Sequence, residues 1–337
     1  MRASAYLASA TLILSAFALP KPAHAWGKMG HVTVCDLAYR NLTPTSRVAV
    51  GELLQSRNGG ITVPKYKKVA ARHYTSFNVG CLEEDGIPRR NPNDHFINFS
   101  RSTSQVTGDT CPAAAGDECI FEGIRRDLAT LKDVSQPRVK RAFALFAVGH
   151  WLGDIHQPLH VSFADDRGGN GIDAKVTGGC GSVHYQPDNL HSVWDNCLLE
   201  AGLLERVRQR TDYKKTWSRW TITYRAVDTL LANTSLTEEQ QIVAGEPWRW
   251  AAESYAITLD PAVRYCVEVG NSCNYSATSL LKPHDKRLEQ LNQSYLTQFS
   301  GRAEDRVRKA GFRLAHLLNQ ALDPAYQGPV QDGLQQP

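Results

Sequence analysis

No stretch of this 337-residue chain after Leu19 is long and apolar enough to cross a bilayer, so a membrane-embedded product is not expected. Strong charge of either sign is also missing. The formal net charge is +4, and loss of a leader carrying Arg2 and Lys21 would lower it to about +2. So weak a field excludes a protein that grips duplex DNA through many phosphates. It leaves open an enzyme that meets one phosphate at a time. None of the eight cysteines stands in a Cys-x-x-Cys pair, so a thiolate zinc knuckle is excluded. Metal ligands, if present, are expected to be nitrogen and oxygen. Internal repeats and low-complexity linkers are absent, and strand-like alternation is confined to Ile172–Val176 with its Gly-rich flanks.

What is there begins with a leader. Arg2 gives a short basic start, Tyr6–Leu19 is almost wholly apolar, and Ala23-His24-Ala25 has the small-x-small form of a cleavage site. Residues 1–25 are therefore expected to be a signal peptide, cut between Ala25 and Trp26, and the product secreted. The cysteine number fits an oxidising compartment. The expected pairing is Cys111 with Cys119, Cys266 with Cys273, Cys35 with Cys81, and Cys180 with Cys197. Five Asn-x-Ser/Thr triplets, beginning at Asn41, Asn98, Asn233, Asn274 and Asn292, matter only in a glycosylating host.

The dominant periodicity is helical. Thr43-Pro44 makes a helix start, with Thr43 as N-cap and Pro44 at the first helical position. Apolar residues recur at helical spacing over 121–132, 138–156, 190–208, 237–257, 280–299 and 302–322. The fold class is all-α: a single mainly helical domain over 26–325, followed by a disordered tail at 326–337. Helix bundles commonly build metal sites between facing helices.

The residues that carry chemistry lie on those helices. In the apolar run Phe143–His160, His150 and Asp154 are four apart and project from one helical face. Pro158 then disturbs the helix, which lets His160 swing back toward the same point. An unpaired imidazole or carboxylate in a core costs several kcal/mol, about 2–7 for a polar group, so a cation is the economical explanation. A second pair, His191 and Asp195, repeats the four-residue spacing on another apolar helix. One such pair is commonly a hydrogen-bonded core histidine; two pairs with His160 favour metal. His95 stands in the apolar context Phe96-Ile97-Asn98-Phe99, and His31 lies five residues after the expected new terminus. The freed amine and carbonyl of Trp26 can chelate a metal together with His31. Nitrogen and carboxylate sets favour zinc, and also suit manganese or iron. Open coordination positions point to hydrolysis, with neighbouring metals flanking an in-line phosphoryl displacement.

With these elements in place, the chain resembles the secreted trinuclear-zinc nucleases, the group that includes the S1/P1 and mung bean nucleases. Zinc-dependent phospholipase C is a more distant relative. The resemblance rests on Trp26-Gly27-x-x-Gly30-His31, His95-Phe96-Ile97-Asn98, and the signature His150-x-x-x-Asp154-Ile155-His156-Gln157-Pro158-Leu159-His160. It continues through Gly168-Gly169-Asn170, Asn189-Leu190-His191-x-x-Trp194-Asp195, Trp250-Ala251-x-Glu253-Ser254, and Ala310-Gly311-x-Arg313-Leu314-Ala315. It implies three zinc ions. One is held by a family aspartate with His95, His150 and Asp154, and a second by Trp26, His31 and Asp154, which makes Asp154 the bridge. The third is held by His160, His191 and Asp195. It implies cleavage of single-stranded DNA and RNA to 5′-mononucleotides and removal of 3′-phosphates from 3′-nucleotides, by a monomer without stable membrane association. It also implies a base contact at Asn196.

The family's first aspartate is where the chain departs from the pattern. The run Cys81-Leu82-Glu83-Glu84-Asp85-Gly86-Ile87-Pro88 is closer to His95 than usual and has Pro88 in place of the expected cation. Asp85, four after Cys81, is the chosen ligand and catalytic acid/base beside Asp154. Glu83, Glu84 and Asp94 are its alternatives. Arg89 or Arg90 can supply the missing charge, although solvated loop residues are the favoured reading. His156 points away from the ligand face and is read as structural. His73, His184, His284 and His316 have no ligand context. Trp217, Trp220, Trp248 and Trp250 are read as core rather than as base-stacking platforms. Two other functions compete: a zinc-dependent phospholipase C, and a non-catalytic zinc-stabilised binding protein.

Overall fold

The computed structural model describes residues 26–56, 77–86, 88–112, 118–178, 180, 187–265, 267–269, 272–274 and 288–329. The leader, His73, His184, His284, the Cys266–Cys273 pairing and the tail beyond 329 lie outside them. Most of the described chain is helical. The helices are α1 (Lys28–Arg40), α2 (Pro44–Gln55), α3 (Phe77–Gly80), α4 (Ile120–Lys132) and α5 (Arg138–Asp154). Next, α6 (Leu190–Ser192) runs through a π-helical segment (Val193–Leu198) into α7 (Leu199–Arg208). The last four are α8 (Arg219–Ala232), α9 (Leu236–Val243), α10 (Pro247–Thr258) and α11 (Gln293–Leu322).

Local chemistry sets the helix starts. Thr43 caps α2 by accepting from the Ser46 amide, with Pro44 at N1 as expected. Asn189 and Ser192 form a reciprocal capping box at α6, which fixes where the His191 turn begins. Asn292 caps α11 by accepting from the Tyr295 amide.

Two helix expectations need correction. The 237–257 periodicity is split into α9 and α10, because Gly245 adopts φ 93° and Glu246 is extended ahead of Pro247. The 280–299 run is not one helix either: Leu288–Leu291 is a strand, and the Asn292 cap starts α11 after it. That strand, β4, pairs in parallel with β3 (Asp173–Val176), the strand expected near 172–176. The parallel pair of β1 (Ile97–Phe99) and β2 (Val161–Phe163), together with α8, went unread in the sequence.

The core surrounds α5 and α11. From Ala144 to Asp154 every residue of α5 is buried, so this helix is central rather than amphipathic. Three of the four expected disulfides fall in the described residues, and all three form: Cys35–Cys81, Cys111–Cys119 and Cys180–Cys197. The first packs on α5 at Gly149, where an added Cβ would meet both sulfurs at 2.5 and 2.7 Å. No helix among the described residues is long and apolar enough to cross a membrane.

Candidate metal centre

Five histidines and three acids converge at the C-terminal end of α5. Asp154 ends that helix, and the chain leaves through Pro158–His160 into β2. Pairing of β1 with β2 brings His95, just ahead of β1, beside this turn. His31 comes from the first turn of α1, and His191 and Asp195 come from the α6/π segment.

The hydrogen bonds fix which nitrogen each imidazole presents. His150 Nδ1 donates to the Cys81 carbonyl at 2.7 Å. His160 Nδ1 donates to the His95 carbonyl at 2.5 Å, and His191 Nδ1 donates to the Gly168 carbonyl at 2.6 Å. In these three rings Nε2 is left with its lone pair. His160 Nε2 and His191 Nε2 then face each other at 3.1 Å, with Asp195 Oδ2 at 3.4 Å from His191 Nε2. His150 Nε2 lies 3.1 Å from His95 Nδ1, and both are within 3.4 Å of Asp154 Oδ2. At 3.1 Å the His160 and His191 Nε2 lone pairs repel unless a cation lies between them. Two nitrogens bound tetrahedrally at about 2.0–2.1 Å to one zinc are about 3.3 Å apart, which matches the spacing.

Asp154 is shared. Its Oδ2 faces His95 and His150, and its Oδ1 is 3.4 Å from His31 Nε2. Both of its oxygens, both His31 ring nitrogens and His95 Nε2 are buried without a hydrogen-bond partner. Polar groups left so in a core call for a partner of opposite charge. Three sets can hold a metal: His31, Asp85 and His150; His95, His150 and Asp154; and His160, His191 and Asp195. Burial, with Asp85 adding to it, pushes the Asp154 carboxyl well above its ordinary range, and burial does the same to Asp195. Burial first, and neighbouring histidines second, hold His31, His95 and His160 well below theirs. These rings are therefore neutral and able to ligate.

Among the alternative acids, only Asp85 reaches this cluster, with Oδ1 4.0 Å from His150 Nε2. Asp94 pairs with Arg126 at 2.7 Å, and Glu84 pairs with Arg90. Arg90 is an exposed loop residue as expected, whereas the solvated reading of Arg89 is corrected. Arg89 bonds Asp85 at 3.0 Å and lines the cavity beside the histidines, while Arg90 sits over the Phe143 ring. Trp26 is fully buried, and the Gly27 amide donates to the Asp195 carbonyl at 2.7 Å, which ties the 26–27 segment to the π segment. Asn196 packs against Gly27 and does not line the cavity.

Outside the ligands, Gln157 Nε2 donates to Asp195 Oδ1 at 2.6 Å. His156 turns away: its Nδ1 donates to the Leu152 carbonyl at 2.7 Å, and its Nε2 accepts from Arg313 at 2.8 Å. Arg306 and Arg313 share Glu253 beneath the 155–160 turn. Ser254 and Thr258 donate to the Ile155 and Pro158 carbonyls, both at 2.5 Å. Trp250 is core, and Trp217 and Trp248 are half-buried, whereas Trp220 is exposed, contrary to the core reading. His316 binds the Tyr326 hydroxyl.

A family model described as S1/P1 Nuclease matches residues 26–323. The chain belongs to the S1/P1 nuclease family. Similar curated proteins agree with that membership. Endonuclease 1 of Arabidopsis thaliana is 26% identical over 333 residues, 94% of this chain and 95% of that protein. Endonuclease 2 of the same plant is 32% identical, covering 53% of this chain and 58% of the relative. Nuclease S1 of Aspergillus oryzae is 28% identical, covering 54% and 58%. The chain thus spans little more than half the length of Endonuclease 2 and Nuclease S1. The mainly helical fold is that of the family.

Proposed function

We infer that this chain is an exported, monomeric phosphodiesterase carrying three zinc ions. It cleaves single-stranded DNA and RNA to 5′-mononucleotides and removes 3′-phosphates, with one catalytic domain over 26–325. The observation that carries the reading is the convergence of imidazole nitrogens at 3.1 Å in two sets, His95 with His150 beside the buried Asp154, and His160 with His191 beside Asp195. His95, His150, Asp154 and Asp85 would hold one ion, Trp26, His31 and Asp154 a second, and His160, His191 and Asp195 the third. Bound zinc supplies a nucleophile at neutral pH and neutralises phosphoryl charge.

The chain's own residues do the rest. Asp85, held by Arg89, orients the attacking water and takes its proton. The water oxygen bonds to phosphorus while the bond from phosphorus to the 3′-oxygen breaks, and the proton passes to the leaving oxygen. The His160/His191/Asp195 set faces that leaving side, with Gln157 keeping Asp195 aimed. Asn196 lies against Gly27 outside the cavity, so the base contact expected there falls to a nucleotide that extends past the cavity. Zinc counting alongside turnover of single-stranded DNA, 3′-AMP and phosphatidylcholine tests the reading. Three zincs with hydrolysis of the first two substrates are expected. Hydrolysis of the lipid alone would replace it with a phospholipase. Three zincs with no hydrolysis would leave a non-catalytic binding protein.

A further inference from the structure

The cavity beside His160 and His191, about 410 Å³, has one cationic wall residue that nothing in the fold uses. Every other arginine among the described residues meets a carboxylate, a carbonyl or an aromatic ring. Arg167 lines the cavity, and its guanidinium has no partner among the described residues. Arg89, the second arginine of that cavity, is engaged by Asp85.

The backbone under Arg167 is built to stay where it is. Arg167 adopts φ 57°, followed by Gly168 at 65° and Gly169 at 81°. Left-handed backbone disfavours a long side chain, so an arginine is kept there at a conformational cost. The loop is anchored from below. Asp166 accepts from the Gly169 amide at 2.9 Å and from the Tyr265 hydroxyl at 2.5 Å, and it pairs with Arg101. The same loop gives the Gly168 carbonyl to His191, so the Arg167 backbone is set in fixed relation to the third ligand set, with its exposed side chain on the cavity wall. Asp173 and Asp188 share the cavity and repel any phosphate that strays toward them.

We propose that Arg167 binds the 5′-phosphate of the nucleotide whose 3′-oxygen leaves. This rests on the nucleotide-hydrolase reading above, in which that nucleotide occupies this cavity. The enzyme then favours a sugar phosphorylated at both ends, as in a polynucleotide, over a 3′-mononucleotide.

Two substrates that differ only in the 5′-phosphate decide it: adenosine 3′,5′-bisphosphate and 3′-AMP, compared by kcat/KM on the zinc-loaded protein. The wild type should prefer the bisphosphate by about tenfold, the value of one exposed charge-assisted contact. Arg167→Asn, which tolerates the left-handed backbone, should bring that ratio to about one. The same variant should reduce the salt slope for binding a phosphorothioate-linked oligothymidylate by about 0.7. Equal loss on both substrates, or a preserved preference, overturns the proposal. A wild type that hydrolyses 3′-AMP and the bisphosphate equally overturns it while leaving the function standing. A wild type that hydrolyses no nucleotide removes the function itself.

Discussion

Asp154→Asn separates the two roles of the buried carboxylate. The side chain is fully buried, its Oδ1 faces His31 and its Oδ2 faces His95 and His150. Asparagine keeps the shape and removes the charge. In metal-free protein the wild-type group is held toward its neutral acid by burial. An amide therefore replaces a near-isostere, and the metal-free stability should change by no more than about 1 kcal/mol, or ~2–4 °C in Tm. With zinc the comparison inverts. The variant loses the ligand shared by two sites, so zinc content should fall from three per chain to one. Catalysis should drop by about a thousandfold or more, since several kcal/mol of charge stabilisation go with the metals. Calorimetric melts with chelator and with zinc, beside metal analysis, read both arms. Full zinc content with full turnover would refute the bridge. An equal loss of Tm with and without zinc would show that Asp154 is structural rather than a ligand.

Asp195→Asn should remove one zinc and leave two, because Asp195 faces only His160 and His191 among the ligand histidines, as metal analysis will show. Replacing Cys35 and Cys81 together by alanine should cost about 2–5 kcal/mol in denaturant melts. It should also weaken zinc binding by about 10–100-fold, because the Cys81 carbonyl orients His150. Burial opposes charge on Glu253, but bonds from Arg313 and the charge of Arg306 prevail and hold its carboxyl below the ordinary value. A lowered folded pKa gives stability that is present above the unfolded value, about 4.3, and is lost as pH falls through the folded one. Glu253→Gln should therefore lower Tm at pH 7, with the gap starting to shrink below the unfolded value and closing only once pH has fallen past the lowered folded one; a gap that persists into strong acid would contradict this.

Ligand spacing was readable because it is a local property. The pairs His150/Asp154 and His191/Asp195 keep the four-residue offset that puts both groups on one face, and both stand close in the structure. Neither Arg89 nor the Gly168 carbonyl could be found that way. Arg89 acts through a loop whose path after Pro88 no periodicity describes, and the Gly168 carbonyl is aimed by three consecutive positive φ values. The helix errors have the same origin. Apolar spacing over 237–257 continues across Gly245-Glu246-Pro247, and only the backbone stops there. Likewise the Leu288–Leu291 run is a strand because β3 lies beside it, a non-local pairing that its own composition does not signal.

Each described disulfide ends close to the metal centre along the chain. Cys81 lies four residues before Asp85, and Cys197 lies two after Asp195. Cys119 precedes Ile120, whose amide donates to the carbonyl of Phe96, next to His95. Each crosslink thus fixes a chain segment that neighbours a residue of the His/Asp cluster. Opening the three crosslinks should therefore loosen the segments that carry Asp85, His95 and Asp195 before it loosens His150 and Asp154 on the buried α5 helix.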